Sequence, residues 1–502
     1  DYINMIKKVS PYNLKKGILY LRHYGPKGFW IKLTERFQKS DIDYKEWYEN
    51  HRPSEQELER ERKQVFEYSP KISILVPVYN TPEVFLKQMI QSVRKQTYTN
   101  WELCIANANP SNQEVSSILN VAGKKDNRIK VVDVPENEGI AQNTNRALEI
   151  ATGEFVGLLD HDDLLAPDAL FEVVRCVNDN EKADVIYSDE DKITADSARR
   201  FEPHFKTDFN IELLRSNNYI CHLFVVKRLI VEEIGGFRND FDGAQDYDLI
   251  LRCIEKAEGI YHIPKILYHW RVHQSSTAEN PESKLYAYDA GKRAIEEHLK
   301  RVDRPGKVRE LYYRGFYHVT YKVKEKTGVT VCFVGNNKTD VKKCMKSIKK
   351  TAGKVKCQFI AVKSIKEVKE EQIRYEYVLF VDSSIRMISK NWMREMIGIC
   401  QFPENGVVGI QLINKKNQTI YHNGFLKGQK GYAFQGQPVE AVGYFHRDEL
   451  TQCVDGVTDK FMMMRTEQLS TELLKKYGKD IIVEKGNGKF IVDPQIKAYF
   501  NI

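Results

Sequence analysis

The sequence predicts an α/β protein built on a mostly parallel sheet with helices on both faces. A helical N-terminal extension precedes it, and a second, smaller α/β domain follows. Three observations carry that expectation. From Lys71 onward, apolar runs of strand length alternate with amphipathic helical stretches, the pattern of βαβ units around a parallel sheet. The run "EFVGLLDHDDLLAPDAL" (154–170) takes a buried strand straight into three carboxylates, at the strand end where open α/β sheets place ligands. The strand and helix order that starts at residue 71 also recurs, shortened, from residue 328.

Residues 1–68 read as helical and basic. "NLKKGILYLRHYGPKGFWIKLTERF" carries Ile18, Leu19, Phe29, Trp30, Leu33 and Phe37 around a Gly25-Pro26 turn. "SEQELERERKQ" opens as a capping box, Ser54 with Glu57, and runs on as a charged helix. The expectation is a helical collar packed on the next domain, whose basic and aromatic side chains are also a candidate peripheral contact with a membrane.

Residues 69–300 form the main domain. "KISILVPVYN" is a buried strand ended by Pro77, and "PEVFLKQMIQSVRKQT" a helix with Pro82 at its start. "WELCIANA" and "IKVVDVPE" are strands on either side of the helix "NQEVSSILNVAGK". "GIAQNTNRALEIAT" is a helix entered through Gly139 and ended by Gly153. Beyond the carboxylates come the helix "LFEVVRCVND", the strand and acidic turn "ADVIYSDED", and the strand and helix of "YICHLFVVKRLIVEEIGGF". The helix "GAQDYDLILRCIEKA", the strand-like "IYHIPKILYHWRVHQSS" and the helix "SKLYAYDAGKRAIEEHLKR" close the domain. Residues 301–324 read as a linker. In 325–502, "GVTVCFVGNN" repeats "KISILVPVYN", "CQFIAV" stands for "WELCIA", and "YEYVLFVDSSIRM" stands for "GEFVGLLDHDDLL".

Composition narrows the function classes. Of 502 residues, 42% are apolar and 29% charged, which describes a soluble globular chain. The net charge of +8 is mild for this length; it is no nucleic-acid signature and suits anionic substrates or the anionic inner face of a membrane. Nine scattered cysteines without a C-x-x-C pair speak against a disulfide framework or zinc site and for a reducing compartment. No apolar run approaches the ~18 residues of a membrane span, and there is no secretory signal. The expected location is therefore cytoplasmic, at most peripheral on the inner face of the cell membrane. A homo-oligomer is compatible with all of this, and nucleic acid is not an expected partner.

Asp160, His161, Asp162 and Asp163 need a reason to sit together. Unit charges about 4 Å apart repel by roughly 4 kcal/mol at an effective dielectric near 20. Two readings stand open on the residues alone. One is a solvated loop whose Asp162 or Asp163 caps the following helix; the other is a divalent-cation site, where an ion reverses the sign of the repulsion.

Motif order decides between them. "SILVPVYN", "ENEGIAQNTNRAL", "LLDHDD" and "GGF…QDYDLILR", in that order over roughly 71–300, resemble the inverting family 2 glycosyltransferases of the GT-A, Rossmann-like fold. Residues 40–70 are similar to the helical lead-in of bacterial cell-surface polysaccharide members, of rhamnosyltransferase-like type. Residues 325–502 resemble a second, degenerate GT-A copy.

The resemblance implies transfer of a sugar, with inversion, from a UDP- or dTDP-sugar to a saccharide, lipid-linked or protein-glycan acceptor in cell-surface polysaccharide synthesis. It implies Mn²⁺ or Mg²⁺ as cofactor. In its D-x-D motif Asp162 is the metal ligand, Asp160 contacts the ribose or the metal shell, and His161 lies on the donor. Asp163 is left as an orienting residue or helix cap. Its R-x-H segment maps to Arg271 and His273, with His273 a metal or diphosphate contact and His269 structural. Its general base maps to Asp246, with Gln245 in place of the usual Glu and Asp248 facing elsewhere. Pro77, Tyr79, Asn80, Asn107, Gly139 and Asn145 fall in its nucleotide-binding loops. Glu190 and His222 border its acceptor cleft.

Two departures matter. Asn107 replaces the Asp that receives a hydrogen bond from the pyrimidine, and Thr144 replaces an Arg that contacts the donor. The second copy is expected to be catalytically silent, because its acidic turn reads Asp382-Ser383-Ser384 and no acidic pair opens a later helix. "NQTIYHNGFLKG" is expected to be a plain hairpin, the alternative being a saccharide-contact loop that carries Tyr421 and His422. A phosphatase of the haloacid dehalogenase type also follows a strand with an Asp pair, but Leu164 stands where its motif needs Thr or Val. The alternative of another class is a non-catalytic nucleotide-sugar-binding or assembly protein derived from a glycosyltransferase.

Overall fold

The computed structural model of the chain describes residues 43–273, 285–323, 327–469, 481–482 and 488–501. The predicted membrane contact around Phe29 and Trp30, and Gln274–Ser276 of the R-x-H segment, lie outside them. Among the described residues no helix is long and apolar enough to cross a membrane. The chain divides into two compact units, one ending at Glu310 and the other beginning at Leu311.

In the first unit, two short helices precede the sheet. Helix α1 (Tyr44–His51) starts where the Asp43 side chain accepts from Lys45 N, and α2 (Glu55–Lys63) has the predicted Ser54/Glu57 capping box. Both belong to the compact unit that holds the sheet, so residue 68 is not a unit boundary. Tyr44 ties α1 to a sheet strand by donating to Asp191 (2.7 Å).

Within this unit, helix α2 brings Glu61 to two further carboxylates, Asp168 and Glu172. Burial and the charges of Asp168 and Glu172 push Glu61 up to about 7, against a hydrogen bond from Thr97. The folded state therefore holds a proton here that the unfolded chain releases near its ordinary value of about 4.3. This contribution to stability is full at low pH and is lost as pH rises through about 7. The thermal midpoint of the full chain should fall between pH 5 and 8, and Glu61→Gln should reduce that fall by a few degrees. An identical pH dependence in the variant would exclude Glu61 as a contributor.

The sheet strands are β1 (Ile72–Val78), β2 (Trp101–Asn107), β3 (Ile129–Asp133), β4 (Phe155–Leu158), β5 (Leu164–Leu165), β6 (Ala183–Thr194), β7 (Arg200–His204), β8 (Phe224–Lys227) and β9 (Gly259–Val272). Their order is β3-β2-β1-β4-β8-β6-β9-β5, with β7 beside β6. β3, β2, β1 and β4 run parallel, β8 enters antiparallel between β4 and β6, and β6 and β9 are again parallel. β1 is buried at nearly every position, as a parallel strand covered on both faces must be. Its Ile72, Ile74, Val76 and Val78 share a core with Leu86, Met89 and Val93 of the helix Glu83–Arg94. This packing fixes one edge of the sheet, where β1 to β4 all end. The register there sets Val78, Asn107 and Asp133 side by side.

The helix Leu285–Arg301 and β10 (Gly306–Glu310) end this unit. The second opens with β11 (Tyr317–Tyr321), so the predicted linker 301–324 contains two strands. Its strands are β12 (Gly328–Val334), β13 (Lys356–Val362), β14 (Tyr377–Asp382), β15 (Ile385–Met387), β16 (Asn405–Asn414), β17 (Thr419–His422), β18 (Gln452–Val454), β19 (Gly456–Val457), β20 (Phe461–Arg465), β21 (Ile481–Ile482) and β22 (Lys489–Phe500). The main sheet runs β13-β12-β14-β20-β16-β22-β15, with β17 beside β16 and β18 beside β22. Position by position this is the first sheet's order without β3. Every shared pair keeps its direction: β12 is parallel to β13 and β14, β20 antiparallel to β14 and β16, and β22 parallel to β16. The repeat read from the sequence is thus a topological repeat; the copy lacks a counterpart of β3 before its acidic turn and has an added strand beside β22.

Register also aligns the two acidic turns. Leu75 pairs with Leu158 and Cys332 with Phe380, which makes Asp382 the equivalent of Asp160 and Ser384 the equivalent of Asp162. The hairpin at Thr419–His422 is present, but His422 is fully buried and its Nδ1 faces Ile410 O at 2.9 Å. It cannot meet a saccharide from there.

Candidate functional site

The acidic turn spans β4 and β5, and β5 pairs antiparallel with β9, Leu164 opposite His269. That pairing brings Tyr268, Arg271 and His273 to the turn. Asp163 is buried and accepts from Arg271 N at 2.7 Å and from the Tyr268 hydroxyl at 2.6 Å. Burial, with the charges of Asp162 and Asp160, holds its carboxyl well above the usual range. Neither Asp162 nor Asp163 caps the following helix, whose N-cap position is Asp168. Asp163 anchors the turn.

Arg271 is fully buried and donates from Nε to Asp162 O (2.6 Å), from Nη1 to Ala195 O and Ser197 Oγ, and from Nη2 to Gln88 Oε1. It holds Asp162 by its backbone and leaves the carboxylate to other partners. Asp162 Oδ2 lies 2.7 Å from His273 Nε2. The Phe85 ring packs against both Arg271 and His273. His269, expected to be structural, is buried with Nδ1 2.6 Å from Asp191 Oδ1.

Asp160 belongs to a second group of side chains. Its Oδ2 is 3.9 Å from His222 Nε2, and Asp160, Asp163 and His222 present ligand atoms within 4.8 Å of one another. His222 stacks on Tyr268 (4.5 Å, 10°) and faces Glu190 Oε2 through Nδ1 at 3.1 Å. Burial opposes a charge on either partner. Even so, Lys206, His204 and His222 keep Glu190 well below the carboxylate range. Cys221 and Glu190 lift His222 well above the usual imidazole value. Glu190 is therefore an interior group that orients His222.

Asp246 joins the same cluster. It opens the helix Gln245–Ile254 and accepts from Asn218 Nδ2 at 2.9 Å. Cys221 Sγ lies 3.8 Å from its Oδ2 and 3.5 Å from His222 Nε2. Asp248, one turn face away, is fully buried between Arg252 (2.7 Å) and Arg238, a structural ion pair. Gln245 Oε1 accepts from Gly243 N.

The donor-side residues divide. Pro77 is half-buried in β1, Tyr79 is 47% exposed, and Asn80 has a left-handed φ of 51° while its Oδ1 accepts from Asn109 and Asn112. Gly139 has φ 92°, and a Cβ there would stand 2.4 Å from Asp242 Oδ2. Asp242 Oδ1 accepts from Ala141 N at the start of the helix Ile140–Glu149. Two expected donor contacts are already engaged inside the protein. Asn145 clamps the backbone of Phe237 through both ends of its amide, at 2.8 and 2.9 Å. Asn107 is buried and donates to Asp133 and Ser116. His161 is part-exposed, and its Nδ1, buried without a hydrogen-bond partner, lies 3.9 Å from Asp162 Oδ1.

The residues present fit a divalent cation. Asp162 and His273 offer a carboxylate oxygen and an imidazole nitrogen already in contact, a donor set suited to Mn²⁺ as well as Mg²⁺. The structure sets Asp160 with His222 rather than with His273. Tyr268, Cys221, Asp242 and the anchoring role of Arg271 are not expected from the sequence. Arg271 had a signal in the R-x-H spacing; the others are ordinary residues until the strands pair.

Residues 73–235 match the model of glycosyl transferase family 2. The chain is 36% identical over 439 residues to the uncharacterized protein y4gI of Sinorhizobium fredii, covering 79% of this chain and 48% of that one. It is 28% identical over 427 residues to the O-antigen biosynthesis protein RfbC of Myxococcus xanthus, covering 78% of this chain and 33% of that one. This chain thus spans half or less of those relatives. Among solved structures, S. aureus TarS 1-349 matches 46% of this chain and 65% of that chain, with 18% identity and a TM-score of 0.38.

Proposed function

We propose that this chain, which carries a glycosyl transferase family 2 domain over residues 73–235, moves a sugar with inversion from a nucleotide-sugar donor, of UDP or dTDP type, to a saccharide or glycoconjugate acceptor. The observation that carries the reading is the convergence of the Asp160–Asp163 turn with His273 on one side and Asp246 on the other. An acceptor hydroxyl oxygen attacks the anomeric carbon, the bond from that carbon to the diphosphate breaks, and its electron pair leaves with the phosphate. Asp246 Oδ receives the hydroxyl proton, oriented by Asn218. Asp162 and His273 would hold the cation, which supplies charge neutralisation for the departing diphosphate. His222, fixed by Glu190 and Tyr268, lies between Asp246 and Asp160 and faces the acceptor side. The similarity to an O-antigen biosynthesis protein supports cell-surface polysaccharide synthesis as the setting.

A donor-hydrolysis screen of the full chain across UDP-, dTDP- and GDP-sugars, with and without Mn²⁺, tests the reading. Metal-dependent release of nucleoside diphosphate from one donor class is expected. Tight donor binding without turnover, with any acceptor, would favour the non-catalytic alternative instead.

The second unit is proposed to be silent. Ser384 is the positional equivalent of Asp162, and Asp382 Oδ1 is engaged by Ser384 N (2.9 Å) and Oγ (2.6 Å). Much of the segment corresponding to the base helix lies outside the described residues. Asp382→Ala in the full chain should leave transfer rates within about twofold of wild type, since it removes no group from the reacting atoms. Loss of a second transferase activity would show the unit to be an enzyme.

A further inference from the structure

At the edge of the sheet where β1, β2 and β3 end, Asn107 and Asp133 lie in register on neighbouring parallel strands. Asn107 is 1% exposed. Its Nδ2 donates to Asp133 Oδ1 (2.9 Å) and Ser116 Oγ (3.2 Å), and its Oδ1 accepts from Asn109 N (3.4 Å). A carboxamide has two N–H donors, so both are in use; its Oδ1 keeps one lone pair, but the side chain is closed off from solvent. Asp133, the last residue of β3, is exposed. Among the described residues its Oδ2 has no hydrogen bond and neither oxygen has an ion-pair partner. A buried amide thus holds one oxygen of an exposed carboxylate and leaves the other open, at the carboxyl edge where α/β sheets bind ligands.

We propose that Asp133, presented by Asn107, selects the base of the donor by accepting the N3–H of uracil or thymine. The proposal rests on the nucleotide-sugar reading above and adds the residue that chooses the nucleotide. A carboxylate only accepts hydrogen bonds. Uracil and thymine offer one N–H between two carbonyls and need one free oxygen. Cytosine offers a lone pair at the same position, which a carboxylate repels. Guanine offers two adjacent donors and matches a carboxylate with both oxygens open, one of which Asn107 already occupies. Asn at position 107 therefore keeps a charge-assisted acceptor in the row and moves it one strand, about 4.8 Å, toward β3.

The test measures binding of UDP, CDP, GDP and inorganic pyrophosphate to the full chain with Mn²⁺ by calorimetry, for wild type, Asp133→Ala and Asp133→Asn. Wild type should prefer UDP to CDP and GDP. Asp133→Ala should weaken UDP about 10- to 100-fold, the range for a lost hydrogen bond to a charged group, with pyrophosphate unchanged. Asp133→Asn, whose amide can donate to cytosine N3, should raise CDP relative to UDP, a change that a purely structural Asp133 would not produce. Wild-type UDP/CDP ratios in both variants would overturn the assignment and leave the donor reading standing; a wild type that prefers GDP would overturn the assignment and the UDP or dTDP part of that reading, leaving a nucleotide-sugar donor of another base. A wild type that binds no nucleoside diphosphate would overturn both.

Discussion

Asp246→Asn is expected to lower turnover by roughly 10²- to 10⁴-fold while donor affinity stays near wild type. The substitution keeps the size of the side chain and its contact with Asn218 Nδ2, so the helix Gln245–Ile254 should keep its place. What goes is the lone pair that receives the acceptor proton. The loss corresponds to about 3–5 kcal/mol of barrier, larger than any uniform-binding effect of a contact at this position. Single-turnover kinetics separate the alternatives. If donor affinity collapses and turnover per bound donor is normal, Asp246 binds and does not catalyse. Asp248→Asn is the contrast, because Asp248 is enclosed by Arg238 and Arg252. Its loss should appear as lower stability rather than lower turnover in the folded fraction.

Asp162→Ala should abolish most transfer, by about 10³-fold or more if the cation stabilises the leaving group by several kcal/mol. EDTA should silence wild type, and Mn²⁺ or Mg²⁺ should restore it. The fold should survive in Asp162→Ala, because Arg271 holds residue 162 through its backbone carbonyl and Asp163 anchors the turn through Tyr268 and Arg271 N. Asp163→Ala should behave oppositely and cost stability, since it strips a buried hydroxyl and a buried N–H of their acceptor. Full activity of wild type in chelator would remove the cation from the proposal and leave Asp246 in it.

Much of the architecture was legible in the sequence because its signals are local. Apolar runs at strand length, the amphipathic helices after β1, β2 and β3, Ser54 with Glu57 at a helix start and Gly139 at another are short-range choices, and the structure bears each of them out. The repeat was legible for the same reason, since both copies keep the same apolar order even where the chemistry of the acidic turn differs. The insertion of β8 antiparallel between β4 and β6 was not legible. "FVVK" reads as a strand, but its neighbours are chosen by the closing of the whole sheet.

The sequence by itself determined which carboxylates, imidazoles and amides the site has to draw on. Only the tertiary structure decided which of them are free. Asp162 and Asp163 are adjacent and chemically identical, yet one faces His273 Nε2 and the other is closed in by Tyr268 and Arg271. Asn107 and Asn145 both sit in donor-loop motifs, yet their amides are engaged with Asp133 and with Phe237. The physical reason is that a polar group's availability depends on the partners that strand pairing and helix docking bring to it, here from residues up to about a hundred positions away. Those partners leave no trace in the local pattern that identifies the motif.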